Sequence, residues 1–216
     1  MNGYYAMISS ETRFDAVVLC NGSFPHHALP LSVLQEAKFL CCCDGACNQL
    51  ERTGRWPDMI VGDGDSIDRK LCRKYADRLL IVSEQDDNDQ TKATRYCMEQ
   101  GYRKLAYVGA TGKREDHTMG NISLLARYQS EMNLQPTMLT DYGWFVAATG
   151  KCCLETFPGQ QVSIFNISCS KLENRGLRWS SYPYQSLWQG TLNEATATTA
   201  ELDGDGSYIV FRTYPE

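Results

Sequence analysis

Two aspartates, Asp63 and Asp65, are separated by a single residue in the segment Gly62-Asp63-Gly64-Asp65-Ser66. The segment follows the apolar run Met59-Ile60-Val61, which predicts a short buried strand. Carboxylates this close repel each other, and a cation beside them removes the repulsion. Mg²⁺ carrying nucleotide phosphates is the usual cation in such a position. A solvated acidic turn is the alternative interpretation of the same five residues.

Polar residues also follow four other apolar runs of the chain. They are Asn21, then Asp44, then the set Asp86, Asp89 and Lys92, and finally the loop 109–114 with Thr111 and Arg114. In an open α/β sheet, ligands bind beyond the carboxyl ends of the strands. Because randomly scattered surface charge would not follow strand ends, the pattern favours a functional crevice.

The segment after the fourth run offers both an anion and a cation. Asp89 can join Asp63 and Asp65 as an oxygen ligand of one or two Mg²⁺ ions, or it can cap the N-terminus of a helix. Lys92 follows one helical turn later. It either points a cation at phosphate oxygens or is an ordinary solvated lysine.

The loop 109–114 contains glycines suited to backbone contact with an anion, although it lacks the spacing of a P-loop. Arg114 is a rigid, forked cation suited to binding phosphate. Asp116 could cap the next helix, orient Arg114 or accept a proton. His117 is either a ligand or a hydrogen-bonding residue.

The composition excludes several classes of protein. The 216 residues carry a formal charge of −5, which argues against a nucleic-acid groove or an anionic membrane surface as partner. No apolar run approaches the roughly 20 residues that span a bilayer. Ten cysteines without a recognisable secretory signal predict reduced thiols in a soluble, cytoplasmic protein. Zinc at Cys43 and Cys47 is the less favoured alternative, because no second ligand pair follows at finger spacing.

Short apolar runs alternate with amphipathic stretches up to about residue 140. This alternation predicts an open, mostly parallel three-layer α/β sandwich. The predicted strands are 16–20, 39–43, 59–61, 79–82, 105–108 and 137–139, and the predicted helices are 31–37, 48–52, 69–76, 89–99 and 118–130. Asp68 and Asp89 are placed to cap or charge helix N-termini, and Gly101 is placed to end the fourth helix.

The remainder of the chain has the short periods of β structure. The predicted β segments are 144–147, 152–156, 162–167, 177–179, 196–201 and 208–212, with turn clusters at 149–151, 157–159 and 203–206. They predict a small C-terminal antiparallel β-sandwich, and hence two domains, 1–140 and 141–216. The first dozen residues are expected to form a tail or an edge element.

Five ordered motifs together resemble the thiamin pyrophosphokinase family. They are Asp44-Gly45-x-x-Asn48, Gly62-Asp63-x-Asp65-Ser66, Gln85-Asp86-x-x-Asp89-x-x-Lys92, Gly109-Ala110-Thr111-Gly112-x-Arg114-x-Asp116-His117, and Gly190-Thr191-x-Asn193-Glu194, with Asn121 and Gly176-Leu177-x-Trp179 between them. They cover nearly the whole chain in the order and the α/β-then-β arrangement of that family.

The resemblance implies transfer of the pyrophosphoryl group of ATP to thiamine, giving thiamine diphosphate and AMP. It implies that 1–140 binds ATP and Mg²⁺, with Mg²⁺ at Asp63, Asp65 and Asp89, and that 141–216 binds thiamine and forms a homodimer with shared sites. The implied catalytic residues are Asp63, Asp65, Asp89, Lys92, Arg114 and Asp116. The implied nucleotide and thiamine contacts are Asn21, Asp44, Asn48, Ser66, Gln85, Asp86, Thr111, His117, Asn121, Trp188, Thr191, Asn193 and Glu194.

The residue types in and near the expected turn Asn193-Glu194 suit a ligand such as thiamine. A flat cation favours an aromatic face and a carboxylate, which Trp188 and Glu194 could supply. The alternative is that Trp188 belongs to the core and Asn193-Glu194 is an ordinary turn.

The chain departs from the family pattern at two places. The family's Asp-Gly-Gly-Ala-Asn reads Asp44-Gly45-Ala46-Cys47-Asn48, which removes one permissive glycine. Leu192 occupies the position of a serine in Thr-Ser-Asn-Glu, which removes a hydroxyl near the expected thiamine site.

Two other classes of function remain open at this point. One is a different Mg²⁺-dependent enzyme with an Asp-x-Asp site, either a phosphohydrolase or a nucleotidyl or glycosyl transferase. The other is a sensor that binds a nucleotide or thiamine without turnover, which the Leu192 departure would suit.

Overall fold

The computed structural model describes residues 3–215, and the chain contacts divide it into two compact units. The α/β unit comprises residues 12–124 and 136–141. Of the described residues, the β unit comprises 3–11, 125–135 and 142–215. The predicted boundary between residues 140 and 141 lies beside the change of unit at 141 and 142. Residues 3–11 and 125–135, however, group with the β unit.

The elements follow one another along the chain as follows. The strands are β1 (Gly3–Tyr5), β2 (Ala16–Leu19), β3 (Leu40–Cys43), β4 (Met59–Gly62), β5 (Leu79–Ile81), β6 (Lys104–Val108), β7 (Gln135–Leu139), β8 (Gly143–Glu155), β9 (Gln161–Asn166), β10 (Leu172–Arg175), β11 (Asn193–Glu194) and β12 (Thr199–Thr213). The helices are α1 (Ala28–Gln35), α2 (Ala46–Leu50), α3 (Arg69–Lys74), α4 (Asp89–Glu99) and α5 (Glu115–Ser130). Short 3-10 turns lie at Glu51–Thr53, Ala76–Arg78 and Leu187–Gly190.

The α/β unit contains a sheet in the order β7-β6-β2-β3-β4-β5. The pairings from β6 to β5 are all parallel. Every residue of β2 and β3 is buried, as continuous apolar strands of a two-sided parallel sheet should be. The predicted α/β class, with a β-rich C-terminal part, is therefore confirmed.

Helix α4 begins at Asp89, but Asn88 caps it. The Asn88 side chain accepts hydrogen bonds from the Thr91 backbone N–H and hydroxyl, both at 3.0 Å. Asp89 is the first helical residue, where its charge suits the helix dipole. Gly101, with φ of +89°, ends α4 as predicted. Asp68 stands at the start of α3 without a side-chain capping bond.

The β unit contains strands in the order β11-β9-β12-β8, with β1 parallel to β8 and β10 antiparallel to β12. The described part of the N-terminal dozen therefore includes an edge strand, as expected. Two predicted turns were wrong, because 149–151 lies inside β8 and 203–206 lies inside β12. Asp203 pairs with Lys151 and Ser207 with Thr149, so three residues of β12 face one residue of β8 in a bulge.

The predicted strand 177–179 was also wrong. Leu177 forms a single bridge with Ala195, and the strand lies earlier in the chain, at β10. The sequence Leu-Glu-Asn-Arg of β10 is too polar to signal a strand, because its outward side chains are solvated. Among residues 3–215, no helix has the length and apolar character needed to cross a membrane.

Candidate functional site

The carboxylates of Asp44, Asp63 and Asp65 offer oxygens that lie within 4.8 Å of one another. They converge because β3 and β4 are neighbours in the sheet and both strands end at this edge. Gly62 makes the approach possible, since a Cβ there would lie 2.5 Å from Cβ of Asp44. We call these three residues the carboxylate cluster.

Asp44 is fully buried, although its side chain is a carboxylic acid. Its Oδ2 accepts a hydrogen bond of 2.8 Å from the Ser66 backbone N–H. Its Oδ1 is buried and has no hydrogen-bond partner within residues 3–215. Burial raises the pKa of Asp44 to about 6, and the carboxylates of Asp89, Asp63 and Asp65 add to the effect. A buried, unsatisfied carboxylate oxygen beside two other acids is suited to a cation.

Asp63 and Asp65 are held by their neighbours. Gln85 Nε2 donates to Asp63 Oδ2 at 3.3 Å, and this bond, with that from the Asp65 backbone N–H, lowers the pKa of Asp63. The Ser66 hydroxyl donates to Asp65 Oδ1 at 2.7 Å. Gln85 and Ser66, both predicted site residues, thus orient the two acids.

Asp89 and Lys92 form an ion pair of 3.7 Å at the start of α4. The Lys92 side chain is only 2% exposed, so the alternative of a solvated lysine is wrong. Burial raises the pKa of Asp89, Lys92 opposes the rise, and the charges of Asp63 and Asp65 add to it. Asp89 therefore interacts electrostatically with the carboxylate cluster, although its own carboxylate is not one of the three that define the cluster.

The loops after β2 and β6 are joined to each other. The Gly22 N–H donates to the Gly109 carbonyl at 2.7 Å, and the Ser23 N–H to the Thr111 carbonyl at 2.8 Å. A Cβ on Gly22 would lie 2.3 Å from the Thr111 oxygen, so this position needs glycine. The loops therefore pack backbone against backbone at the end of the sheet.

Asn21 is held by a residue that the motif analysis did not single out. Lys113 Nζ donates to the Asn21 backbone oxygen at 2.9 Å and to Asn21 Oδ1 at 3.1 Å. Lys113 has a φ of +60°, which is unusual for a residue with a side chain. Lys113 is the unspecified position between Gly112 and Arg114 in the fourth motif, so the motif gave no signal for this role.

Arg114 and Asp116 form an exposed, two-pronged ion pair. Arg114 Nε donates to Asp116 Oδ1 at 3.1 Å, and Nη2 donates to Oδ2 at 2.5 Å. The guanidinium, together with the His117 backbone N–H, lowers the pKa of Asp116 to about 2. Of the three roles considered for Asp116, orienting Arg114 matches this geometry, and such an acidic group is a poor proton acceptor.

Two predicted asparagines connect segments of the α/β unit. Asn48 Nδ2 donates to the Ser66 carbonyl at 2.9 Å. Asn121 Nδ2 donates to the Ala110 carbonyl at 2.8 Å, and its Oδ1 accepts from Asn88 Nδ2 at 2.9 Å. Both side chains hold loops in place.

The sequence did offer a signal for the Asn88 cap, namely a polar residue before α4 and a threonine three positions later.

In the β unit, Trp188 is 75% exposed, so the alternative of a core tryptophan is wrong. The Thr191 hydroxyl donates to the Trp188 carbonyl at 2.7 Å. Asn193 is buried, and its amide bonds the backbone N–H and carbonyl of Trp179 at 3.1 and 2.8 Å. Glu194 pairs with Arg178 at 3.1 Å. Asn193 and Glu194 form strand β11, paired with β9, so the alternative of an ordinary turn is wrong. Asn193 holds the backbone of Trp179 and Glu194 is half-buried beside Arg178, whereas Trp188 is open to solvent.

The fold and site define an α/β protein with converging carboxylates at the ends of neighbouring parallel strands. The sequence profile described as "Thiamin pyrophosphokinase, catalytic domain" matches residues 31–135. The profile described as "Thiamin pyrophosphokinase, substrate-binding domain" matches residues 143–211. The chain belongs to the thiamin pyrophosphokinase family.

Named relatives agree with this assignment. Thiamin pyrophosphokinase 1 of Caenorhabditis elegans is 33% identical over 102 residues, which are 43% of this chain and 42% of the relative. Thiamine pyrophosphokinase 1 of Arabidopsis thaliana is 30% identical over 145 residues, which are 56% of this chain and 53% of the relative. The chain thus spans about half the length of the curated relatives that it matches.

Two solved structures share the fold at low identity. Thiamin pyrophosphokinase from Candida albicans gives a TM-score of 0.78 at 14% identity, over 99% of this chain and 93% of that chain. Thiamine pyrophosphokinase from Bacillus subtilis gives a TM-score of 0.75 at 19% identity, over 93% of this chain and 99% of that chain.

Proposed function

We propose that this chain is an ATP-dependent thiamine diphosphokinase. The hydroxyl oxygen of thiamine attacks the β-phosphorus of ATP, the bond from that phosphorus to the α-phosphate oxygen breaks, and AMP leaves while the hydroxyl proton is released. The products are thiamine diphosphate and AMP. The observation that supports the proposal best is the carboxylate cluster at the strand ends of a chain of this family. Its Asp44 Oδ1 is buried and has no hydrogen-bond partner among the described residues.

The residues present fit a divalent cation such as Mg²⁺. Asp44, Asp63 and Asp65 would hold it, with Asp89 as a fourth carboxylate ligand when nucleotide is bound. The donors are all hard oxygens, and the like charges repel one another without a counter-ion. Bound there, the ion supplies neutralisation of the nucleotide's phosphate charge.

The chain's own cations do the rest of the phosphate binding. Lys92 is buried beside Asp89, which makes its ammonium a fixed charge in a dry environment. Arg114 presents a fork oriented by Asp116, which suits two phosphate oxygens at once. Asn21, Asp86, Thr111 and His117 complete the proposed nucleotide contacts, whereas Asn48 and Asn121 act by holding loops.

We further propose that the exposed Trp188 face and the Glu194 carboxylate bind cationic thiamine, with Thr191 and Asn193 holding the backbone of Trp188 and Trp179. The active form is a homodimer with shared sites. The support is the family resemblance together with the exposure of Trp188. The ten free thiols in the described structure suit a cytoplasmic location.

Product analysis tests the activity. Purified protein is incubated with Mg²⁺, ATP and thiamine, and the products are identified by mass spectrometry. Thiamine diphosphate and AMP in equal amounts are expected. Thiamine monophosphate with ADP would make the chain a simple phosphotransferase. Phosphate trapped covalently on Asp63 would make it a phosphohydrolase, and binding without products would make it a sensor.

A further inference from the structure

Arg95 lies on α4, two helical turns beyond Asp87, and reaches back over the start of the helix. Its guanidinium forms an ion pair with Glu84 Oε1 at 3.5 Å and another with Asp87. The Asp87 side chain is only 9% exposed, so a cation beside it offsets part of the cost of burying its charge. A planar guanidinium can serve two carboxylates at once, which an ammonium does less well.

The pairing with Glu84 extends into the backbone of the loop 84–88. The second oxygen of Glu84, Oε2, accepts from the backbone N–H of Asp86 at 3.0 Å and of Asp87 at 3.4 Å. Arg95 therefore fixes Glu84, and Glu84 in turn binds the backbone of the loop. Asn88 fixes the far end of the loop by capping α4.

This loop carries Gln85, which meets the carboxylate cluster. Gln85 Nε2 donates to Asp63 Oδ2 at 3.3 Å. A chain of contacts therefore runs from Arg95 through Glu84 and the loop to Asp63. Holding an acid in one orientation before a ligand arrives removes part of the ordering cost of binding.

Both cations near the start of α4 are paired with carboxylates of the same region. Lys92 pairs with Asp89, and Arg95 pairs with Glu84 and Asp87. The cluster Asp44, Asp63 and Asp65 has no such ion pair within the described part of the chain, so its charge is left for a cation from solution.

We propose that Arg95 is a positioning residue, which fixes the loop 84–88 so that Gln85 orients Asp63 and the carboxylate cluster binds a divalent cation more tightly. The inference rests on the cation of the proposed function and adds a residue outside the motifs that define the site. Arg95 touches neither the cation nor the substrate in this scheme.

The test compares Arg95→Lys with the unaltered protein. The substitution keeps the positive charge and removes the planar guanidinium. A change in the variant therefore reports the loss of the two-carboxylate geometry and not the loss of charge. Mn²⁺ binding without nucleotide is measured by calorimetry, and backbone hydrogen exchange is measured over residues 84–88. We expect the Kd for Mn²⁺ to rise about threefold to tenfold, and the Asp86 and Asp87 amides to exchange faster. Arg73→Lys, on the exposed face of α3, is the matched control and should change neither.

Unchanged Mn²⁺ affinity and unchanged exchange in Arg95→Lys would overturn the proposal. If that variant does not fold, Gln85→Ala breaks the link without touching Arg95, and the Kd should rise by a similar factor; an unaltered Kd overturns the proposal. If the unaltered protein binds no Mn²⁺, the cation of the proposed function fails. The exchange measurement then decides by itself whether Arg95 holds the loop.

Discussion

Asp44 shows how a single residue combines structural and chemical demands. Its Oδ2 is bonded to the backbone of Ser66, and its Oδ1 is buried and unpartnered within residues 3–215. Leaving a carboxylate oxygen in that state costs free energy in the absence of a ligand. The sequence predicted Asp44 as a nucleotide contact. It could not predict the convergence with Asp63 and Asp65, because that depends on β3 lying beside β4.

We predict that removing a member of the cluster strongly lowers activity without damaging the fold. Asp44→Asn, Asp63→Ala and Asp65→Ala should each lower kcat/KM by at least about 100-fold, because each removes a cation ligand. Melting temperatures should be unchanged or higher, because a like-charge repulsion is relieved. Steady-state kinetics and thermal denaturation measure both effects.

The control for these variants is Asp77→Asn, whose side chain is 79% exposed and lies outside the site. It should leave kcat/KM at the original value. Retention of full activity by all three cluster variants would contradict the assignment of the cation site.

At the scale of elements, the parallel strands were predicted well because their burial on both faces leaves continuous apolar runs. The β unit was predicted less well. Turn-type residues at 149–151 and 203–206 form a bulge, in which Gly150 has a φ of +71°, a conformation that turns also require. Helix α4 was predicted at its observed bounds, because the residues that begin and end it, including Gly101, lie next to it in the sequence.

The start of β6 gives a prediction about pH. Asp15 Oδ2 accepts from the backbone N–H of Arg103 at 2.9 Å and of Lys104 at 2.8 Å, and these bonds lower its pKa. A carboxyl group with a lowered folded-state pKa stabilises the fold above its unfolded pKa of about 3.9. That stabilisation is lost as the pH falls through the folded-state pKa.

Asp15→Asn should therefore lower the free energy of unfolding at pH 7 and make it fall less steeply between about pH 4 and pH 2. Urea denaturation over this range measures both. Equal pH dependence in the two proteins would show that the two backbone bonds contribute nothing to acid stability.

At the scale of the whole molecule, the N-terminal segment illustrates what a sequence does not reveal. Arg212 is fully buried in β12 and donates to the carbonyl oxygens of Tyr5 at 3.0 Å and Glu155 at 2.6 Å. Nothing near residue 5 announces a partner some two hundred positions later. Such pairings depend on topology, which local patterns of hydrophobicity and turn residues do not encode.

The proposed homodimer with shared sites predicts complementation between two inactive variants. Asp63→Ala removes a cation ligand and Glu194→Ala removes the carboxylate proposed for thiamine. Unfolded and refolded together, they should regain up to about a quarter of the activity, because half of the dimers are mixed and each mixed dimer has one intact site of two. Different affinity tags on the two variants, purified one after the other, check that mixed dimers form. Mixed dimers with no activity would mean that each site lies within one chain.

The proposed transfer of a pyrophosphoryl group can be followed by the position of a label in the products. ATP labelled at the β-phosphorus is incubated with the protein, thiamine and Mg²⁺, and the products are separated. The label should appear in thiamine diphosphate, with one AMP formed for each, and Asp44→Asn should produce neither. Label recovered in ADP or in inorganic phosphate, with none in thiamine diphosphate, would contradict the account.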